Sequence, residues 1–195
     1  MKRLLDVVLS LVGLLVIAPI LAALVVWIRL DSKGPAFYRG LRAGRWGRPF
    51  LILKLRTMAE NAEQLGGAET ASDDPRITRA GRFLRQYKLD EFPQLFNVLK
   101  GDMSLVGPRP EVLDEVVCYT SQEQKVLRIQ PGITDWASLK FHHEGEILRG
   151  SQDPHRTYHE KIRPEKLRLQ LQYVQSHTVL TDCWIICRTF RAIFE

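Results

Sequence analysis

The feature that most constrains this chain is an uncharged run from Val7 to Ile28, VVLSLVGLLVIAPILAALVVWI. At a rise of about 1.5 Å per residue it makes a helix of roughly 33 Å, long enough for the hydrocarbon core of a bilayer. A cleaved signal peptide shares the Lys2-Arg3 start, but its apolar region is usually only ~7–15 residues and lacks the dense basic stretch that follows here. Positive flanks mark the cytoplasmic side of an inserted helix. Both flanks are positive in this chain: Lys2 and Arg3 before the run, Arg29, Lys33, Arg39, Arg42, Arg45 and Arg48 after it. A straight span would carry one cluster across the membrane. Pro19 offers an alternative, because an interior proline removes one backbone hydrogen bond and bends the helix, so that it enters and leaves by one face. The residues alone leave two geometries open, a bent hairpin and a kinked span.

Residues 1–30 therefore read as a membrane helix and residues 31–195 as one domain. The net charge of +6, from 28 Lys plus Arg against 22 Asp plus Glu, favours anionic partners such as phospholipid, nucleotide phosphates or nucleic acid. Three cysteines without CxxC spacing suggest neither a disulfide framework nor a zinc site.

Trp27 and Arg29 suit the headgroup level, and DSKGPAFYRGLRAGRWGRPFLILKLRTM reads as loop, short strand, basic turn and short strand. Residues Ala59 to Asp74 read as a polar surface loop near a substrate entrance. Helical spacing returns from Arg76 to Lys100, interrupted by Pro93, whose best position is the first turn of a new helix. Asp90 and Glu91 then fall at a helix start, which favours bound anions. GDMSLVGPRPE sets Arg109 on an extended loop, while Glu123 to Ile129 and Pro164 to Ser176 read as helices. The tail TDCWIICRTFRAIFE suits either a helix on the membrane surface or one packed on the core. The fold class expected is α/β, mostly helical with a small sheet region.

Adjacent carboxylates can divide nucleophilic or metal-binding work from acid/base work, because each alters the other's proton affinity. By themselves Asp90 and Glu91 are weak evidence, because most such pairs are solvated helix-start residues. Arg82, Arg85, Lys88, Lys100 and Arg109 flank them, and Lys54 and Arg56 are expected to approach in space, which makes a phosphate site with room for a hard cation such as Mg²⁺. The same cations would also hold lipid headgroups. No GxGxxG, P-loop, HExxH or GxSxG is present. His142-His143 with Glu144 and Glu146 reads as a solvated loop. His155 and His159 share an i, i+4 spacing but lack a third ligand in sequence. The basic turn with Tyr38 and Trp46 carries no nucleic-acid motif, so no nucleic-acid partner is expected.

The stretches KRLLDVVLSLVGLLVIAPI, KGPAFYRGLRAGRWGRPFLILKLRTM, DDPRITRAGRFLRQYKLDEFPQLFNVLKGDMSLVGPRP and QPGITDWASL resemble successive blocks of the small monotopic phosphoglycosyl transferases, the bacterial sugar transferase family. The resemblance covers nearly the whole chain. It implies a re-entrant helix broken at Pro19, interfacial helices, and a catalytic domain on the cytoplasmic face of the bacterial inner membrane. It implies transfer of a sugar 1-phosphate from a UDP-sugar to a polyprenol phosphate, usually undecaprenyl phosphate, with release of UMP. On this sequence it makes Asp90 the nucleophile and a Mg²⁺ contact, Glu91 its acid/base or metal-orienting partner, and Lys54, Arg85 and Arg109 phosphate-binding residues. Asp135 stands where the PGITGW motif usually has Gly, Ala43 replaces a common Val, and Ala18 leaves Pro19 without a neighbouring hydroxyl. The chain resembles the minimal form of the family, and the residues leave monomer and homodimer both open.

Overall fold

The computed structural model describes residues 1–62 and 70–193. Its elements are α1 (Lys2–Asp31), β1 (Phe37–Ala43), β2 (Pro49–Leu55), α2 (Arg79–Gln86), α3 (Gln94–Lys100), β3 (Ser104–Val106), α4 (Leu113–Val117), β4 (Gly132–Thr134), α5 (Trp136–Lys140), α6 (Glu144–Ile147), α7 (Pro154–Lys161), α8 (Arg163–Ser176) and α9 (Val179–Ile193). The mostly helical architecture with small sheets agrees with the sequence reading. Part of the expected loop, residues 63–69, lies outside the described residues.

In α1 the apolar run becomes a single helical element with Pro19 inside it; the residues leave a bent and a kinked course open, and the break is what the family resemblance implies. A proline removes only one hydrogen bond, which a helix accommodates without ending. Asp6, Ser10, Leu14, Leu21, Leu24 and Ile28 are buried, a spacing of three, four and seven that draws one stripe along the helix. The apolar part of that stripe packs with Leu55, Ala80 and Leu84, flanked by Phe92, Leu95 and Leu99. The other side is lipid-like: Leu4, Val8, Leu11, Val12, Leu15, Val16, Ile20, Val26 and Leu30 are exposed. Only 17% of the most apolar 18-residue window is buried, unlike the core helix of a water-soluble protein. A contiguous apolar ridge of this size needs a non-aqueous neighbour.

Polar contacts tie both ends of α1 to the same domain. At the start, Lys2 Nζ donates to Asp182 Oδ2 at 2.6 Å and to the Val106 carbonyl at 2.9 Å, and Asp6 accepts from Ser104 Oγ at 2.9 Å and Leu105 N at 3.0 Å. At the end, Asp31 Oδ2 accepts from Ala80 N at 2.9 Å, and Trp27 packs on Phe83. Lys2 and Asp6 thus satisfy buried polar partners of the domain.

β1 and β2 form an antiparallel hairpin running from Phe37 opposite Leu55 to Ala43 opposite Pro49. Its turn takes Trp46 and Gly47 into positive φ, 60° and 71°. β3 and β4 are parallel, with Ser104 opposite Gly132. A Cβ on Gly132 would lie 2.1 Å from Gly107 N, so the two strands meet at a distance only glycine permits. The tail helix α9 packs on the domain through buried Asp182 and Ile185, while Leu180, Trp184 and Phe190 are exposed.

Candidate active site

Four elements converge on the Asp90-Glu91 pair. Lys88 takes a left-handed conformation, φ 55°, and turns the chain into a short 3-10 turn, Leu89–Glu91, followed by Pro93 as the residue before α3. The pair therefore sits just ahead of α3, where the sequence places it at the helix start itself. Glu91 is fixed from two sides. Lys54 Nζ donates to its Oε1 at 3.1 Å, Arg109 Nη1 donates to its Oε2 at 3.1 Å, and Arg109 Nη2 closes the fork on Oε1. Asp90 differs: it is 7% exposed, and among the described residues its carboxylate makes no hydrogen bond or ion pair.

The second side of the site comes from α2. Thr78 caps this helix through Gly81 N at 2.9 Å, and a Cβ on Gly81 would fall 1.9 Å from the Thr57 carbonyl. Glycine lets α2 approach Thr57 closely, and Arg85 Nε donates to Thr57 Oγ1 at 2.9 Å, which leaves the rest of its guanidinium within electrostatic range of Asp90. Lys54 is positioned by a residue that the sequence reading does not single out. Asn97 Oδ1 accepts from Leu53 N at 2.9 Å and its Nδ2 donates to the Leu51 carbonyl at 2.8 Å, so a side-chain amide imitates a neighbouring strand and docks α3 on β2. A polar residue inside the apolar stripe of LFNVL is the only signal of this in the sequence.

The loop bearing Arg109 is held by the PGIT segment. Gly107 N donates to the Thr134 carbonyl at 3.0 Å and Gly132 N to the Pro108 carbonyl at 2.9 Å. Beyond the loop, Glu111 Oε1 meets Lys166 Nζ at 2.9 Å and Tyr158 OH at 3.2 Å. Burial opposes the Lys166 charge, but Glu111 and Glu144 hold its pKa well above the ordinary lysine value. Asp135 is fully buried and caps α5, its Oδ1 accepting from Ser138 N at 2.6 Å, so the departure from the usual Gly supplies a helix cap.

Arg56 stands apart from the other predicted phosphate-binding residues. Its guanidinium donates to the carbonyls of Lys33 at 2.6 Å and Ser32 at 2.7 Å and reaches that of Ile28 at 3.3 Å, satisfying the C-terminal end of α1. Lys54, Arg85 and Arg109 gather at the carboxylates; Arg56 binds backbone.

The electrostatics separate the two acids. Burial and the neighbouring Glu91 charge raise the Asp90 pKa, against the opposing pull of Lys54, Arg85 and Lys88. Burial also works against ionised Glu91, but Arg109 and Lys54 outweigh it and hold that carboxyl well below its ordinary range. Burial lowers Lys54 and Arg85, while Glu91 raises Arg109. Four cations, Lys54, Arg85, Lys88 and Arg109, face two carboxylates, an imbalance that favours an anionic ligand.

The family model for bacterial sugar transferases matches residues 1–195, and the chain belongs to this family. The UDP-glucose:undecaprenyl-phosphate glucose-1-phosphate transferase of Caulobacter vibrioides is 38% identical over 96% of this chain and 67% of its own length. The undecaprenyl-phosphate glucose phosphotransferase of Komagataeibacter xylinus is 37% identical over 100% of this chain and 36% of its own length. A UDP-glucose:undecaprenyl-phosphate glucose-1-phosphate transferase of Escherichia coli is 33% identical over 97% of this chain and 39% of its own length. The chain thus spans little more than a third of the second and third of these relatives.

Proposed function

We propose that this protein transfers a sugar 1-phosphate from a UDP-sugar to undecaprenyl phosphate through a covalent intermediate on Asp90. The observation that carries the proposal is the asymmetry of the acidic pair: Glu91 is locked by Lys54 and Arg109, and Asp90 is buried beside it with no hydrogen-bond partner. A carboxylate without partners is available for bonding to phosphorus. Its Oδ attacks the β-phosphorus, the bond to the oxygen bridging the two phosphates breaks, and UMP leaves with that electron pair. An oxygen of the lipid phosphate then attacks the same phosphorus, the acyl-phosphate P–O bond breaks, and Asp90 returns as carboxylate while a lipid diphosphate sugar departs. The surrounding cations serve both steps, because each donor and acceptor is a phosphate. Glu91, held ionised, is better suited to orient Lys54 and Arg109 than to donate a proton.

The donor set also fits Mg²⁺, which binds through one or two carboxylates together with substrate phosphate oxygens. Asp90 would hold it, and the ion would neutralise charge on the diphosphate. Incubation with a panel of UDP-sugars, without lipid acceptor, is expected to release UMP and to add one sugar phosphate to the intact protein mass. UMP release that occurs only with both substrates present, and with no adduct, would overturn the covalent route.

For membrane placement we favour a re-entrant helix with the domain on the cytoplasmic face. The support is that Lys2 and Asp31, at opposite ends of α1, both bind the domain. Cysteines placed at exposed Leu4 and Lys33 are expected to react with an impermeant maleimide only from the cytoplasmic side. Labelling of one position from outside would instead establish a span.

A further inference from the structure

The pair His155 and His159, which in sequence has no third ligand, acquires one in the fold. Glu115 on α4 lies 40 residues upstream of His155, and the chain between them, through β4, α5 and α6, returns α7 beside it. Glu115 Oε1 is 3.1 Å from His159 Nε2 and 3.8 Å from His155 Nε2, and one ligand atom from each of the three residues lies within 4.8 Å of the others. Around a tetrahedral zinc with bonds of about 2.0–2.1 Å, ligand atoms are separated by roughly 3.3 Å. The Glu115–His159 separation is already close to that value, and the Glu115–His155 one lies about 0.5 Å beyond it. Closing the set around one ion calls for an inward rotation of His155, whose side chain is 63% exposed.

An ordinary surface ion pair requires one imidazole; here two rings, with centroids 4.4 Å apart, converge on one carboxylate oxygen. The cluster also has the outer supports that orient metal ligands. Arg163 Nε lies 3.6 Å from the other oxygen of Glu115, and the Tyr158 ring packs edge-on against His159. Two imidazole nitrogens with one carboxylate oxygen select a borderline divalent transition metal, and three protein ligands leave a position for water.

We propose that Glu115, His155 and His159 form a binding site for a zinc-class divalent ion that pins α4 to α7. The clamp would act on the segment immediately after the Arg109 loop: α4 begins two residues beyond Glu111, and α7 carries Tyr158, the partner of Glu111. The site is separate from the acidic pair, and its existence does not depend on the sugar-phosphate reading.

The test uses the full chain in detergent without a histidine tag, titrated with Co²⁺ and with Zn²⁺. Saturable binding of one Co²⁺ with the visible absorption of a low-coordinate His-ligated ion is expected, displaced by Zn²⁺, together with a rise in Tm. His155→Ala, His159→Ala and Glu115→Gln should each weaken binding by at least about tenfold, whereas a His142→Ala/His143→Ala variant should bind normally. Absence of saturable binding would reduce the cluster to a surface His–Glu network. Binding retained by His155→Ala/His159→Ala would place the ion elsewhere and equally overturn the proposal.

Discussion

Asp90→Asn is expected to abolish both UMP release and the covalent adduct, with turnover lowered by roughly 10³-fold or more, and at the same time to raise the melting temperature. The two effects share one cause. Asp90 is buried without a hydrogen-bond partner beside the charge of Glu91, and its pKa is raised in the folded protein. A carboxyl that is harder to ionise when folded holds its proton longer in the native state than in the unfolded chain. Stability therefore falls as pH rises from the unfolded value, about 3.9, through the folded one, and remains lowered at neutral pH. Asn keeps the shape and removes the charge. The gain in Tm should be present at pH 7.5 and shrink toward pH 4, where the wild-type side chain is protonated. Persistent turnover would remove Asp90 as nucleophile; a lower Tm at neutral pH would show that the nearby cations depend on its charge.

Glu91→Gln should do the opposite to stability. Glu91 joins two cations that come from different elements, Lys54 on β2 and Arg109 on the loop after β3. Removing one member of a largely buried ion cluster leaves the others uncompensated, which costs about 3 kcal/mol or, in a chain of this length, a fall in Tm of roughly 6–12 °C. The lower part of that range is expected, because the Arg109 side chain remains 32% exposed to screening water. Its pH signature is also reversed. Glu91 has its pKa depressed, so its contribution is complete above the unfolded value, about 4.3, and is lost as pH falls through the folded one. The Tm difference between wild type and Glu91→Gln should narrow in acid. Adjacent carboxyls whose variants shift Tm in opposite directions at pH 7.5 would establish the division between a free nucleophile and a fixed positioning group. Equal shifts of one sign would refute it.

What could be read before the fold was known follows from what sequence spacing encodes. The basic, turn-forming residues between two short strands drew the β1–β2 hairpin, Pro93 marked the start of α3, and Pro164 the opening turn of α8. These are local preferences of the backbone. The acidic pair was visible as composition, and the ordered LDEFPQLFNVLKGDMSLVGPRP block pointed to its chemistry through resemblance.

Long-range partners were not legible in this way. Arg56 and Lys54 are two residues apart with similar charge, a spacing that keeps to one face inside a strand, yet β2 ends at Leu55, and beyond it Arg56 closes the end of α1 while Lys54 meets Glu91. Asn97 as a strand partner, Gly81 as a close contact and Asp135 as a cap all depend on a neighbour distant in sequence or on local dihedrals.

By itself, then, the sequence determined the length of the apolar helix, the charge of its flanks, the local elements and the place of the candidate acidic pair. Only the tertiary structure decided that both ends of that helix grip one domain, that Asp90 is left unpaired while Glu91 is fixed, and that Glu115 joins His155 and His159. The physical reason is that helix and turn preferences act between near neighbours, whereas burial and ion pairing act across space between groups that the folded chain alone brings together.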